Sequence, residues 1–158
     1  MAKLETKYYV LEIICTCFYY VKDSDTSEFY YDITLTDSAT PIINLPEKYR
    51  PNGGQRGFDC EIHDQSMAET LLFALSEHKQ QFTDDCPNGF YLTVAPSPYD
   101  EDKWQLELEF CARYFGSLDS DLDIKVTISI PKEQLASFAE ALREEEEREK
   151  QTAELRYR

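Results

Sequence analysis

Trp104-Gln105-Leu106-Glu107-Leu108-Glu109-Phe110-Cys111-Ala112-Arg113-Tyr114 alternates apolar with mostly polar side chains along its whole length. A period of two is the signature of a half-buried strand, with one row against a core and one acidic row toward water. After the connection 116–123, Ile124, Val126, Ile128 and Ile130 repeat the pattern against Lys125, Thr127 and Ser129. Pro131 stops the strand, and Leu135, Phe138, Ala139 and Leu142 follow at helical spacing. The stretch therefore predicts a β-hairpin running directly into an amphipathic helix that starts at Pro131, where a missing amide costs nothing.

Tyr8 to Val21 is the most apolar strand candidate, with apolar residues in both parities, which predicts a strand that is central or lies between the sheet and a second layer. Phe29, Tyr31, Ile33 and Leu35 alternate with polar neighbours and complete an antiparallel hairpin with it. The 41–46 stretch, bounded by Pro41 and Pro46, suits a short edge strand. Pro51, Asn52, Gly53, Gly54 and Gly57 mark a loop, and 58–62 reads as another short strand. Ser66-Met67-Ala68-Glu69 has the form of a capping box. Met67, Leu71, Ala74, Leu75, His78 and Phe82 then share one helical face, which predicts a helix ending near Thr83. Phe90 to Val94 reads as a strand and 96–102 as a loop. The expected fold is α+β, a mostly antiparallel sheet of about six or seven strands carrying two helices near 66–82 and 131–147. Residues 1–142 form the expected single domain. The last stretch, 143–158, has four consecutive glutamates and no apolar face before Leu155 and Tyr157, so it is expected as a charged, solvated helical extension. Residues 58–75 and 124–142 echo one another faintly as strand, polar break and helix, read as shared architecture without duplication.

The chain has 158 residues, 42% of them hydrophobic, and a formal net charge of −15, enough apolar content for a real core and too little positive charge for phosphate binding. Nucleic acid and anionic membrane surfaces are therefore not expected partners; a basic protein is. Five cysteines, no signal-type leader and no apolar run of membrane-spanning length fit reduced thiols and a cytoplasmic location.

The chemical constellations are sparse. Cys60 and His63 supply a two-ligand spacing with no second pair to complete a zinc site. Cys60 and Cys86 sit among aspartates, which oppose thiolate formation, and His78 falls on an apolar helical face as a structural histidine. Asp119, Asp121 and Asp123 have calcium-loop spacing, but the sixth and twelfth loop positions are Ile124 and Ile130 instead of Gly and Glu. No phosphate-cradling or nucleophile motif is present, so no catalytic residue, metal site or cofactor is expected.

Charge distribution is more informative. Between Asp84 and Asp123, ten acids are opposed only by Lys103 and Arg113, so this quarter of the chain carries eight of the fifteen net negative charges. Tyr99, Asp100, Glu101, Asp102, Glu107, Glu109, Asp119 and Asp121 are the expected partner-binding residues, an aromatic set among acids.

The 104–144 portion, about a quarter of the chain, resembles small bacterial immunity proteins of polymorphic-toxin systems, the WapI-like group. The resemblance lies in two amphipathic strands followed by Ile130-Pro131-Lys132-Glu133-Gln134-Leu135-Ala136-Ser137-Phe138 and Leu142. It implies a cytoplasmic acidic protein that blocks a toxin, often a basic nuclease, by covering its active site. The leading expectation is thus a non-enzymatic acidic module of immunity or inhibitor type, acting as a monomer or homodimer. Two alternatives stand beside it. Eleven Tyr and nine Phe are enough to line a small-molecule pocket or an enzyme cleft, and Tyr19, Tyr20, Tyr30 and Tyr31 are placed to build a homo-oligomer.

Overall fold

The computed structural model describes residues 1–21, 26–37, 40–44, 58–60, 66–83, 90–111 and 123–156. Among them are nine strands and two helices: β1 (Ala2–Glu5), β2 (Tyr9–Val21), β3 (Thr26–Asp37), β4 (Thr40–Asn44), β5 (Phe58–Cys60), α1 (Met67–Glu77), β6 (Gln81–Phe82), β7 (Phe90–Pro96), β8 (Lys103–Cys111), β9 (Asp123–Pro131) and α2 (Lys132–Arg156). The α+β class with antiparallel pairing is as expected, but the strands form two sheets instead of one. The first has the order β1-β2-β3-β4, with β5 also on β3; the second has the order β6-β7-β8-β9. Each half is therefore a meander of sequential antiparallel strands closed by a helix, a larger unit than the strand-and-helix echo visible in the sequence.

The second sheet follows its alternation directly. Leu106 lies opposite Val94 on one side and Ile128 on the other, and Leu108 opposite Leu92 and Val126. All of these are buried, with Trp104 and Ile130. A register slip of one residue would turn the whole row to water, so the hairpin has one stable pairing.

In the first sheet, β2 is central, between β1 and β3. Its apolar residues in both parities have a second cause, a bulge between Cys15 and Cys17. Cys15 pairs with Tyr31 and Cys17 with Tyr30, leaving Thr16 without a register partner; the Thr16 hydroxyl donates to the Tyr30 carbonyl at 3.2 Å. The extra residue switches which parity faces the core. Leu11, Ile13 and Cys15 point inward before it, and Phe18 packs on Phe29 after it, ring centroids 4.9 Å apart.

Buried residues of both sheets and both helices form one cluster that includes Leu11, Ile33, Leu71, Trp104, Ile128 and Phe138. α2 lies along β1 and β2 and meets α1. α1 begins with the expected capping box: Ser66 Oγ accepts the Glu69 N–H, and the Glu69 carboxylate reaches back to the Ser66 N–H. It ends earlier than expected, at Glu77, because His78 turns left-handed (φ 53°, ψ 44°) and the Lys79 N–H closes onto the Ala74 carbonyl. Gln81 and Phe82 then pair with β7, and Phe82 is exposed instead of sharing the helix's apolar face. His78 is likewise exposed, its ring edge-on to Trp104 at 5.5 Å.

Residues 143–156 are helical, and three of their side chains are turned away from solvent. α2 is continuous to Arg156, and Glu145, Glu146 and Ala153 are buried. Two carboxylates in this position need donors, and the fold supplies them.

Candidate functional site

The expected acidic surface divides into three parts. Tyr99, Asp100, Glu101 and Asp102 share the turn joining β7 to β8. Its backbone is braced throughout: the Ser97 N–H donates to the Lys103 carbonyl at 2.9 Å, and the Lys103 N–H to the Asp100 carbonyl at 3.1 Å. The Asp100 carboxylate accepts the Asp102 N–H at 3.0 Å, and Ser97 Oγ accepts the Tyr99 N–H at 3.2 Å. The Lys132 N–H, at the start of α2, donates to the Asp102 carbonyl. On this fixed turn Tyr99 is 91% exposed.

Glu107 and Glu109 lie elsewhere, on the outer face of the second sheet, with Glu109 roughly 20 Å along β8 from the turn. Glu109 sits opposite Lys125 and Tyr91 in register. The Lys125 ammonium crosses diagonally to Glu107 at 3.0 Å, a pairing that raises the Lys125 pKa. Asp119 and Asp121 fall outside the described residues, as do His63 and Cys86. The turn residues are therefore brought together, while Glu107 is held apart and locally neutralised. The alternation placed Glu107 and Glu109 on one face, but only the strand register reveals Lys125 as a partner.

Sequence reasoning missed the buried carboxylates. Glu145 and Glu146 are adjacent on α2 and reach different neighbours, because consecutive helical side chains diverge by about 100°. Glu145 Oε2 accepts the Cys15 N–H at 3.0 Å, two residues beyond the last β1–β2 pair, Ala2 with Ile13, and its Oε1 faces the Met1 amino group. Glu146 Oε1 accepts the Tyr31 hydroxyl at 2.8 Å and the Ala68 N–H at 3.1 Å, and the Ser66 hydroxyl lies near enough to this carboxyl to favour its ionised form. The Tyr31 oxygen in turn accepts the Met67 N–H at 3.3 Å. The first three amides of α1, which have no partner within a helix, thus go to Tyr31, Glu146 and Ser66. A carboxylate at this end also complements the helix dipole.

Burial is the main cause of the perturbed acidities here. It pushes the Glu146 carboxyl above its ordinary range, against the Ser66, Ala68 and Tyr31 hydrogen bonds and Lys150. Burial, then Glu146, raises the Tyr31 phenol, and burial with Glu146 and Glu149 raises the Cys15 thiol strongly. A thiol held protonated is not a nucleophile. Tyr31 is fully buried and Glu146 is 2% exposed, so the group has the geometry of a structural junction, with little access for a substrate.

Tyr31 does not converge with Tyr19 and Tyr30. Tyr31 lies in the core with Phe29, whereas Tyr19 and Tyr30 meet edge-on at 5.4 Å on the opposite face of the sheet. Among the described residues, no group of three or more His, Cys, Asp or Glu is placed to hold a metal ion, and no helix is long and apolar enough to cross a membrane.

No protein-family model matches the sequence, and no curated protein matches it. Among solved structures, that of the plant transcriptional regulator PBF-2 aligns over 89% of this chain and 84% of its own, at 18% identity and a TM-score of 0.43. Similarity at that level carries no assignment of fold or function.

Proposed function

We propose that this chain is a non-enzymatic, cytoplasmic, acidic protein-binding module of the immunity or inhibitor type, acting as a monomer or homodimer to cover the working surface of a basic partner. The observation that carries the reading is Tyr99, 91% exposed on a turn with Asp100, Glu101 and Asp102 also exposed. A large apolar ring left in water on a hydrogen-bonded turn loses little conformational freedom on binding, which favours an interface anchor. The surrounding carboxylates attract basic partners and repel acidic ones. Glu109 and the other outer-face groups supply a second, weaker acidic zone.

The test is an affinity pull-down from the source cell, with products of neighbouring genes included, at low and high salt. A single basic protein retained at low salt and weakened at high salt supports the reading. Retention unaffected by salt, or by reversing the charges of Glu101 and Asp102, removes its basis.

A further inference from the structure

We propose that residues 143–156 form a proton-controlled arm, docked while Glu146 is protonated and lifted from α1 and β3 when Glu146 ionises. The arm's attachment is polar. Leu142 is the last large apolar side chain that α2 buries; beyond it the buried residues are Glu145, Glu146 and Ala153, and Leu155 is 71% exposed. Lys150 adds one contact, its ammonium lying 5.4 Å from the Phe29 ring centre.

The two carboxylates are not equivalent. Glu145 faces a cation, the Met1 amino group. Glu146 faces the Tyr31 hydroxyl from β3, the Cys15 thiol from β2, and the Ser66 hydroxyl and Ala68 N–H from α1. On its own helix Glu145 precedes it and Glu149 follows one turn on, and Lys150, whose charge favours the ionised carboxyl, is bonded to Glu147 at 3.1 Å. Both short contacts of Glu146 use Oε1, so neither is lost when Oε2 carries a proton. Ionisation adds a charge in a site 2% open to water, offset only in part by Lys150, whose ammonium is engaged by Glu147.

The direction follows from burial raising the docked Glu146 pKa above that of a solvated carboxyl. Docking is then fully supported below the ordinary carboxyl range and weakens as pH rises through the docked value.

The test is amide hydrogen exchange on the full chain from about pH 5 to about pH 8, expressed as protection factors so that intrinsic exchange is divided out. Protection of residues 143–156 is expected to fall by up to about tenfold per pH unit between the ordinary carboxyl pKa and the docked one, and to level off above it, while β8 and β9 keep theirs. Glu146→Gln should keep the arm protected throughout. Should that variant not fold, the wild-type Glu146 carboxyl carbon resonance must titrate with the same midpoint as the loss of arm protection. Constant arm protection, a parallel loss in β8, an unchanged pH response in Glu146→Gln, or separated midpoints would overturn the proposal.

Discussion

Glu146 Oε1 accepts the Tyr31 hydroxyl at 2.8 Å, joining α2 to β3 across 115 positions of sequence at the N-terminus of α1. The bond belongs to a chain in which Tyr31 also receives the Met67 N–H and Glu146 the Ala68 N–H. Tyr31→Phe removes a donor to one group and an acceptor from another, both buried, at an expected cost of about 2 kcal/mol. Glu146→Ala should cost about 3 kcal/mol, because it strands the hydroxyl and the Ala68 amide together. The double variant should fall short of the sum by about 1 kcal/mol or more, measured by urea unfolding. Strict additivity would show that the two side chains do not act as one unit.

Alkaline stability follows from two raised acidities. The Cys15 thiol and the Tyr31 phenol both titrate higher in the folded chain than their ordinary values of 9.0 and 10.0, mainly through burial. Between the unfolded and folded pKa of each group, the folded state holds a proton that the unfolded state has lost. Stability therefore declines as pH rises, from about pH 9 for Cys15 and about pH 10 for Tyr31. Urea midpoints across that interval should fall in the wild type and fall less steeply in Tyr31→Phe. An equal slope in the variant would remove Tyr31 from the account.

Ser66 has two tasks, and a substitution separates them. Its oxygen accepts the Glu69 N–H at 2.8 Å, and its hydroxyl lies beside the Glu146 carboxyl and favours its ionised form. Ser66→Ala should cost about 1 kcal/mol, the usual loss for an N-cap. Aspartate ordinarily caps as well as serine, but here it cannot donate and adds a carboxylate beside Glu146. Ser66→Asp is therefore expected to lower the melting temperature below that of Ser66→Ala at neutral pH, and the reverse order would contradict the geometry.

Charge reversals should divide by location. Glu101→Lys with Asp102→Lys, on the exposed turn, is expected to slow association with the captured basic partner about tenfold at low salt, by stopped-flow measurement. Glu107→Lys should have a smaller effect on that rate, since Glu107 is already bridged to Lys125. Equal effects at the two places would mean that the turn has no special part in recognition.

The hairpins, the capping box and the inward rows are legible in the chain, because these depend on neighbours at fixed short spacing. Trp104, Leu106 and Leu108 alternate strictly, and only one register buries them with Val126, Ile128 and Ile130. The same local cues did not reveal an added residue or an unmarked turn. The bulge at Cys15–Cys17 made one strand apolar in both parities, and His78 ended α1 in a conformation that glycine usually signals. Ala2–Glu5 showed only a four-residue alternation, too short to stand as a strand until β2 was placed beside it.

Tertiary structure alone decided the division into two sheets, the Lys125–Glu107 pairing and the fate of Glu145 and Glu146. A run of glutamates reads as a solvated face because burying a carboxyl is costly without partners. Here the donors come from residues 15, 31 and 68, far away in the chain. Only folding brings them to one point, and no local pattern in the chain records that meeting.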